Sequence, residues 1–192
     1  IPKADISTKN SLWEKSKFMG VEITGKTLGV IGCGNIGTIV IDRAEGLKMK
    51  VIGYDPYLTE ERADSMVIEK VELKELFARS DFITIHTPLT EQTKNIINAD
   101  SIKQMKSSVR IINCARGGLV DEEALLEALK NGKIAGAAID VYQEEPAKHN
   151  PLFENEKIIC TPHLGASTAE AQEKVAVQIA EQMSDFLLTG AI

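Results

Sequence analysis

The sequence predicts an α/β fold, a doubly wound parallel sheet of about seven strands with helices on both faces. Three observations carry that expectation. From Thr27 onward short apolar runs alternate with helical patterns, the order that builds parallel strands joined by crossover helices. Gly32, Gly34 and Gly37 stand in G-x-G-x-x-G spacing directly after the first apolar run, Thr27-Leu28-Gly29-Val30-Ile31. An acid, Asp55, follows Gly37 by 18 residues, at the end of a second run, Val51-Ile52-Gly53-Tyr54.

Strand, glycine turn, helix start and distal acid are together the arrangement of a dinucleotide site in a Rossmann fold. Gly32 lets the strand turn sharply, Gly34 lets bare backbone approach a pyrophosphate, and Gly37 lets the helix pack tightly on the strand. The phosphates would face unpaired N–H groups at the positive end of that helix. Asp55 would accept hydrogen bonds from the adenosine ribose and repel a 2′-phosphate. With no Arg or Lys in Asp55-Pro56-Tyr57-Leu58, NAD is favoured over NADP.

The 192 residues suit one large domain with a substantial core. Residues 1–24 read as an incoming helix and loop around Trp13, with Trp13 as a packing anchor. The strands are expected at 27–31, 51–54, 66–68, 82–86, 109–113, 135–141 and 158–160. Between them, helices are expected at 34–47, at 72–79 with Leu73, Leu76 and Phe77 on one face, and at about 99–105. Asp121 reads as the N-cap of a helix over 122–131 that Gly132 ends. The last helix starts at the capping-box pattern Ser167-Thr168-Ala169-Glu170. Its apolar side, with Ala176, Ile179, Ala180, Met183 and Leu187, is expected to pack on the sheet or on a neighbouring domain.

Composition narrows the partners. With 43% hydrophobic and 26% charged residues the chain is an ordinary globular one, and its net charge of −6 argues against a nucleic-acid surface or an anionic membrane. There is no apolar run near the length of a membrane span, no signal peptide and no expected metal. Cys33, Cys114 and Cys160 read as reduced, buried thiols of a cytoplasmic protein; Cys33, at a helix start, could alternatively be reactive. The chain opens Ile1-Pro2-Lys3-Ala4 without an initiator Met, which suggests a piece of a longer polypeptide.

In such a sheet, ligands sit beyond the carboxyl ends of the strands. The segments there are His86-Thr87-Pro88, 113–118, 140–146 and 161–166. A nicotinamide enzyme working on a hydroxy acid needs a cation for the substrate carboxylate, a general base for the hydroxyl proton, and an acid to orient that base. Arg116 suits the first role through its permanently charged, two-pronged guanidinium, and the bare Gly117-Gly118 beside it suggest close approach by a ligand. His163 suits the second because imidazole titrates near neutrality, and Glu145 suits the third, with Glu144 next door solvated. Each has a plainer alternative: a surface arginine, a structural histidine, a solvated loop acid. By position alone Asp140 either contacts the nicotinamide carboxamide or caps a turn; His149 reads as exposed, and His86 as packed or bonded to backbone.

These residues also carry a resemblance. The segments are 32–37, 86–90 with Thr93, 112–122, 138–141 ending at Glu145-Pro146, and 162–168, and in order and spacing they are similar to the D-isomer-specific 2-hydroxyacid dehydrogenases over nearly the whole chain. The resemblance implies Arg116, Glu145 and His163 as the catalytic set. It implies NAD contacts from Gly32, Gly34, Asn35, Ile36 and Gly37 at the pyrophosphate, Asp55 at the ribose, and His86, Thr87, Pro88, Cys114, Ala115, Arg116, Asp140, His163, Gly165 and Ala166 nearer the nicotinamide. It is strongest for the branch that oxidises 3-phospho-D-glycerate on the way to serine. It further implies a homodimer built through the cofactor domain, with the Trp13 segment as candidate contact, and a substrate domain outside this chain, which begins within the joining segment and stops at residues 190–192, where the return would occur. Glyoxylate or hydroxypyruvate reductase, D-lactate dehydrogenase and an NADH-sensing module like the related co-repressors are the alternative readings.

Overall fold

The computed structural model describes residues 1–190; the last two positions of the expected domain end lie outside the described residues. In chain order the elements are α1 (Pro2–Lys9), β1 (Thr27–Ile31), α2 (Asn35–Gly46), β2 (Lys50–Tyr54), α3 (Glu60–Ser65), β3 (Glu69–Lys70), α4 (Leu73–Arg79) and β4 (Phe82–Ile85). They continue with α5 (Ala99–Gln104), β5 (Arg110–Asn113), α6 (Glu122–Lys130), β6 (Gly136–Ile139), β7 (Ile158–Cys160) and α7 (Ala169–Thr189). The seven strands form one sheet in the order β3-β2-β1-β4-β5-β6-β7, and every pairing is parallel. The chain winds outward from β1 in both directions, so the order reverses between β1 and β4, where a doubly wound sheet opens a crevice at its carboxyl edge.

Alternation along the strands sorts the core into two layers. Leu28 and Val30 of β1 join Cys33, Ile41, Ala44, Val51 and Leu58 on the α2 side. Ile31 and Ile52 join Ile83, Ile85, Ile111, Leu119, Leu125 and Leu129 on the side of α4, α5 and α6. This is the period-two pattern of a strand buried on both faces. Asp121 caps α6 as expected, accepting from the Ala124 N–H at 3.1 Å, and Gly132 follows the helix at φ +69°.

Several local expectations need correction. The strand expected at 66–68 is found instead at Glu69–Lys70, because Met66 and Val67 turn the chain out of α3, with Val67 at φ 56°. Helix α3 itself is an element that the apolar spacing does not reveal; Thr59 caps it by accepting from the Arg62 N–H. The strand expected at 135–141 pairs only over Gly136–Ile139, because Asp140 and the residues after it turn into the site. The last helix is capped by Thr168, not Ser167, and so lacks the expected capping box.

Helix α7 buries none of its residues against the sheet, and Ile159 of β7 remains 61% exposed. Trp13 is 87% exposed, so within this chain it anchors no packing. Among the cysteines only Cys33 is buried, which corrects the expectation of three buried thiols. No disulfide joins the described residues, and no helix among them is long and apolar enough to cross a membrane.

Candidate active site

The glycine turn is built as its spacing demands. Gly32 has φ +93°, and a Cβ there would lie 2.5 Å from the His86 carbonyl; only glycine tolerates both. A Cβ on Gly37 would come within 2.0 Å of the Gly32 carbonyl, which is the close strand–helix approach, whereas a Cβ on Gly34 would meet nothing. Gly34 is also the N-cap of α2, with no side chain covering the helix end. Open backbone and an uncapped positive helix end fit an anionic pyrophosphate.

Asp55 stands beside that turn, its Oδ2 accepting from the Cys33 N–H at 2.9 Å and its Oδ1 from the Tyr57 N–H at 2.8 Å. It therefore also braces the glycine loop. Cys33 is buried, and burial, aided by the Asp55 charge, pushes its thiol up to about 12, which disfavours the nucleophilic thiolate.

Beyond β4 and β5, a cleft of about 270 Å³ is lined by Ile36, His86, Thr87, Pro88, Cys114, Ala115 and Arg116. These residues come from three parts of the sequence and are the ones expected to face the cofactor. His86 pairs its Nε2 with Thr84 Oγ1 at 2.9 Å, and burial lowers its pKa and keeps it neutral. Asn113, buried at the end of β5, shapes the Arg116 loop: its Nδ2 donates to the Arg116 carbonyl at 2.9 Å, and its Oδ1 accepts from the Ala115 N–H at 3.1 Å. The Arg116 guanidinium reaches only the Ala115 carbonyl and forms no ion pair among the described residues, so it is free to meet an anion.

Gly117 is bare for a different reason than close approach by a ligand. Its Cβ would lie 1.7 Å from the Tyr142 carbonyl oxygen, so backbone packs directly on backbone. Gly118 has φ +79°, a conformation glycine alone adopts freely.

His163 and Glu145 are brought together as expected. Nδ1 of His163 lies 2.7 Å from Glu145 Oε2, and the other carboxylate oxygen accepts from the Tyr142 N–H at 2.9 Å. An ionised carboxylate can only accept, so Nδ1 carries the proton and Nε2 is left to face outward. The bond to His163 and that to Tyr142 hold the Glu145 carboxyl below its usual range. Both side chains border a cleft of about 670 Å³ with Tyr142, Pro146, Phe153, Cys160 and Pro162. Glu144 and His149 are exposed, as their positions suggest.

Asp140 caps the turn that follows β7. The residue is 4% exposed, and its carboxylate accepts from Thr161 Oγ1 at 2.5 Å and from the Leu164 and Gly165 N–H groups at 2.8 and 2.9 Å. Burial opposes its charge, but those three bonds and nearby His163 outweigh it and lower the pKa. Its backbone carbonyl accepts from the His163 N–H at 2.8 Å, which helps seat His163 at φ 57°. Gly165 lies between Asp140 and Cys114, for a Cβ there would lie 3.4 Å from Asp140 Oδ2 and 3.8 Å from the Cys114 carbonyl. Ala166 is exposed beside it.

Sequence reasoning overlooked Tyr142. Its side chain is buried, and its hydroxyl donates to the Thr161 and Ile139 carbonyls at 3.0 and 3.2 Å. A tyrosine just past a strand carries no signal of such a role, because its partners are backbone atoms brought near only by folding.

Comparison with known proteins shows the family of the chain. Residues 1–165 match the family described as D-isomer specific 2-hydroxyacid dehydrogenase, NAD binding domain. A D-3-phosphoglycerate dehydrogenase of Methanocaldococcus jannaschii is 52% identical over 188 residues, which cover 97% of this chain and 36% of that protein. The Homo sapiens D-3-phosphoglycerate dehydrogenase is 47% identical over 196 residues, covering 100% of this chain and 37% of its own length. The chain thus spans a little over a third of the curated relatives it matches. Among solved structures, a glyoxylate reductase from Paecilomyes thermophila superposes with a TM-score of 0.90 at 32% identity, over 97% of this chain and 57% of that one. A D-2-hydroxyisocaproate dehydrogenase gives 0.88 at 34% identity, over 99% and 62%. The chain belongs to the D-isomer specific 2-hydroxyacid dehydrogenase family, as an NAD-binding domain of that family.

Proposed function

We propose that this chain is the cofactor half of an NAD-dependent dehydrogenase that oxidises 3-phospho-D-glycerate at its 2-hydroxyl, a step toward serine. The single observation that carries the reading is the Glu145–His163 pair at 2.7 Å, across the carboxyl edge of the sheet from the glycine turn. The relatives named D-3-phosphoglycerate dehydrogenase support the substrate. Bound NAD supplies the hydride acceptor. Gly34 and the first N–H groups of α2 hold its pyrophosphate, and Asp55 holds its ribose. His86, Thr87, Pro88 and Cys114 to Arg116 line the path toward the nicotinamide, and Asp140 holds the 161–165 turn beside it.

The Arg116 guanidinium binds the substrate carboxylate and polarises the carbonyl that forms at the reacting carbon. His163 Nε2 takes the hydroxyl proton, and Glu145, fixed on Nδ1, holds the ring in the tautomer that can accept it. The charge gained by imidazole is stabilised by that carboxylate. The rest of the substrate site lies in a domain outside these 192 residues, a reading supported by the length of the relatives. Residues 1–24 form the entry from that domain, and exposed Trp13 is a contact for a homodimer. Three free thiols support a cytoplasmic setting.

The test is His163→Ala in the full-length polypeptide. Turnover falls by about a thousandfold, in the range of lost acid–base catalysis, while NADH fluorescence titration gives an unchanged Kd. Unchanged turnover would refute the assignment, and an NADH-responsive partner interaction without turnover in the unmodified protein would point to a sensor instead.

A further inference from the structure

We propose that Glu122 is a positioning residue for the Glu145–His163 pair: its carboxylate clasps both ends of the loop over residues 143–150 and ties that loop to the segment carrying Arg116. Glu122 is the first residue of α6, set in place by the Asp121 cap. Its Oε1 accepts from the Gln143 N–H at 2.7 Å and its Oε2 from Asn150 Nδ2 at 2.7 Å. A charged acceptor makes both bonds stronger than neutral ones. Asn150 in turn accepts from the Leu152 N–H at 2.9 Å through Oδ1, and Leu152 is buried in the core. One carboxylate therefore joins the start of the loop, its end, and a core anchor.

Glu145 lies inside that loop. It is held from one side by the Tyr142 N–H, which belongs to the residue just before the clasped Gln143. The segment from Arg116 to Glu122 touches the loop's root at both of its ends, Gly117 against the Tyr142 carbonyl and Glu122 against the Gln143 N–H. That double contact sets the distance between the guanidinium and the His–Glu pair, which a substrate spanning both must match. Ala147 packs against the core and secures the loop's middle, but among the described residues only the Glu122 clasp hydrogen-bonds its two ends to α6. The neighbouring Glu123 is exposed and makes no side-chain bond among the described residues.

This inference rests on the proposed roles of Glu145 and His163, and its test separates the two. Glu122→Gln keeps the shape but turns one acceptor into a donor, and Glu122→Ala removes the clasp. In the full-length polypeptide kcat falls about threefold in the first and about tenfold in the second, with KM for NAD unchanged. In the ¹⁵N-labelled 192-residue chain the His163 ring resonances shift in the same order, while those of His149 do not. Glu123→Gln leaves all three readouts as they were. Melting temperature identifies any variant that fails to fold, and Glu122→Gln, isosteric with the original, then carries the test. If Glu122→Gln and Glu122→Ala keep full kcat and the original ring resonances while Glu145→Gln loses turnover, the positioning role is wrong and the His–Glu reading stands. If Glu145→Gln also keeps full turnover, both are overturned.

Discussion

Gly117→Ala separates a packing role for this glycine from a ligand-contact role. The added Cβ would sit 1.7 Å from the Tyr142 oxygen and 2.2 Å from its carbonyl carbon. Both are backbone atoms with no flexible end to swing aside. To reach even 3.0 Å the two segments must part by about 1.3 Å, and overpacking of this kind costs about 1–3 kcal/mol. For a chain of this length each kcal/mol lowers the melting temperature by about 2–4 °C, so the middle of the range is a fall of about 4–8 °C. The displacement falls on Arg116, the adjacent residue, and a misplacement of about 1 Å at a catalytic group costs roughly a hundredfold in turnover. The assay is circular-dichroism melting of the 192-residue chain without cofactor, paired with turnover of the full-length polypeptide. A melting temperature unchanged without cofactor, combined with weakened NADH binding, would refute the packing argument and restore the ligand explanation.

Two further outcomes follow from the charge environment. Asp140 and Glu145 both titrate below their ordinary values, so the stability they contribute is present above the normal carboxylate range of about 4 and is lost as pH falls through their lower folded values. Asp140→Asn is therefore clearly less stable than the original at pH 7, and melts at successively lower pH bring the two proteins together; a gap that stays constant to pH 2 would contradict the linkage. At pH 8 a thiol reagent modifies exposed Cys114 before Cys33, and mass spectrometry finds Cys33 labelled only after unfolding; early labelling of Cys33 would refute its protection by the core.

Much of the site is legible because its signals are local. Glycine spacing is read within six residues of chain, and the structure seats Gly32, Gly34 and Gly37 in three distinct environments, the one at Gly32 completed by the His86 carbonyl. The Asp121 cap and the strand-end positions of Arg116, Asp140 and His163 are equally local matters, since a parallel sheet sends its carboxyl ends to one edge. The Glu145–His163 pairing was expected from chemistry and family likeness, but its geometry depends on two loops 18 residues apart meeting at 2.7 Å.

What the amino-acid order determined by itself is the doubly wound sheet, the glycine turn and the set of polar residues at its rim, because hydrophobic period, turn chemistry and capping act between near neighbours. Only the tertiary structure decided that Asp140 spends its carboxylate on the His163 turn, that Gly117 yields to the Tyr142 backbone, and that Glu122 clasps a distant loop. It also decided that Trp13 and α7 stay exposed. Each of these turns on which long-range surfaces meet, and a side chain's partner across 20 or more residues leaves no trace in local periodicity.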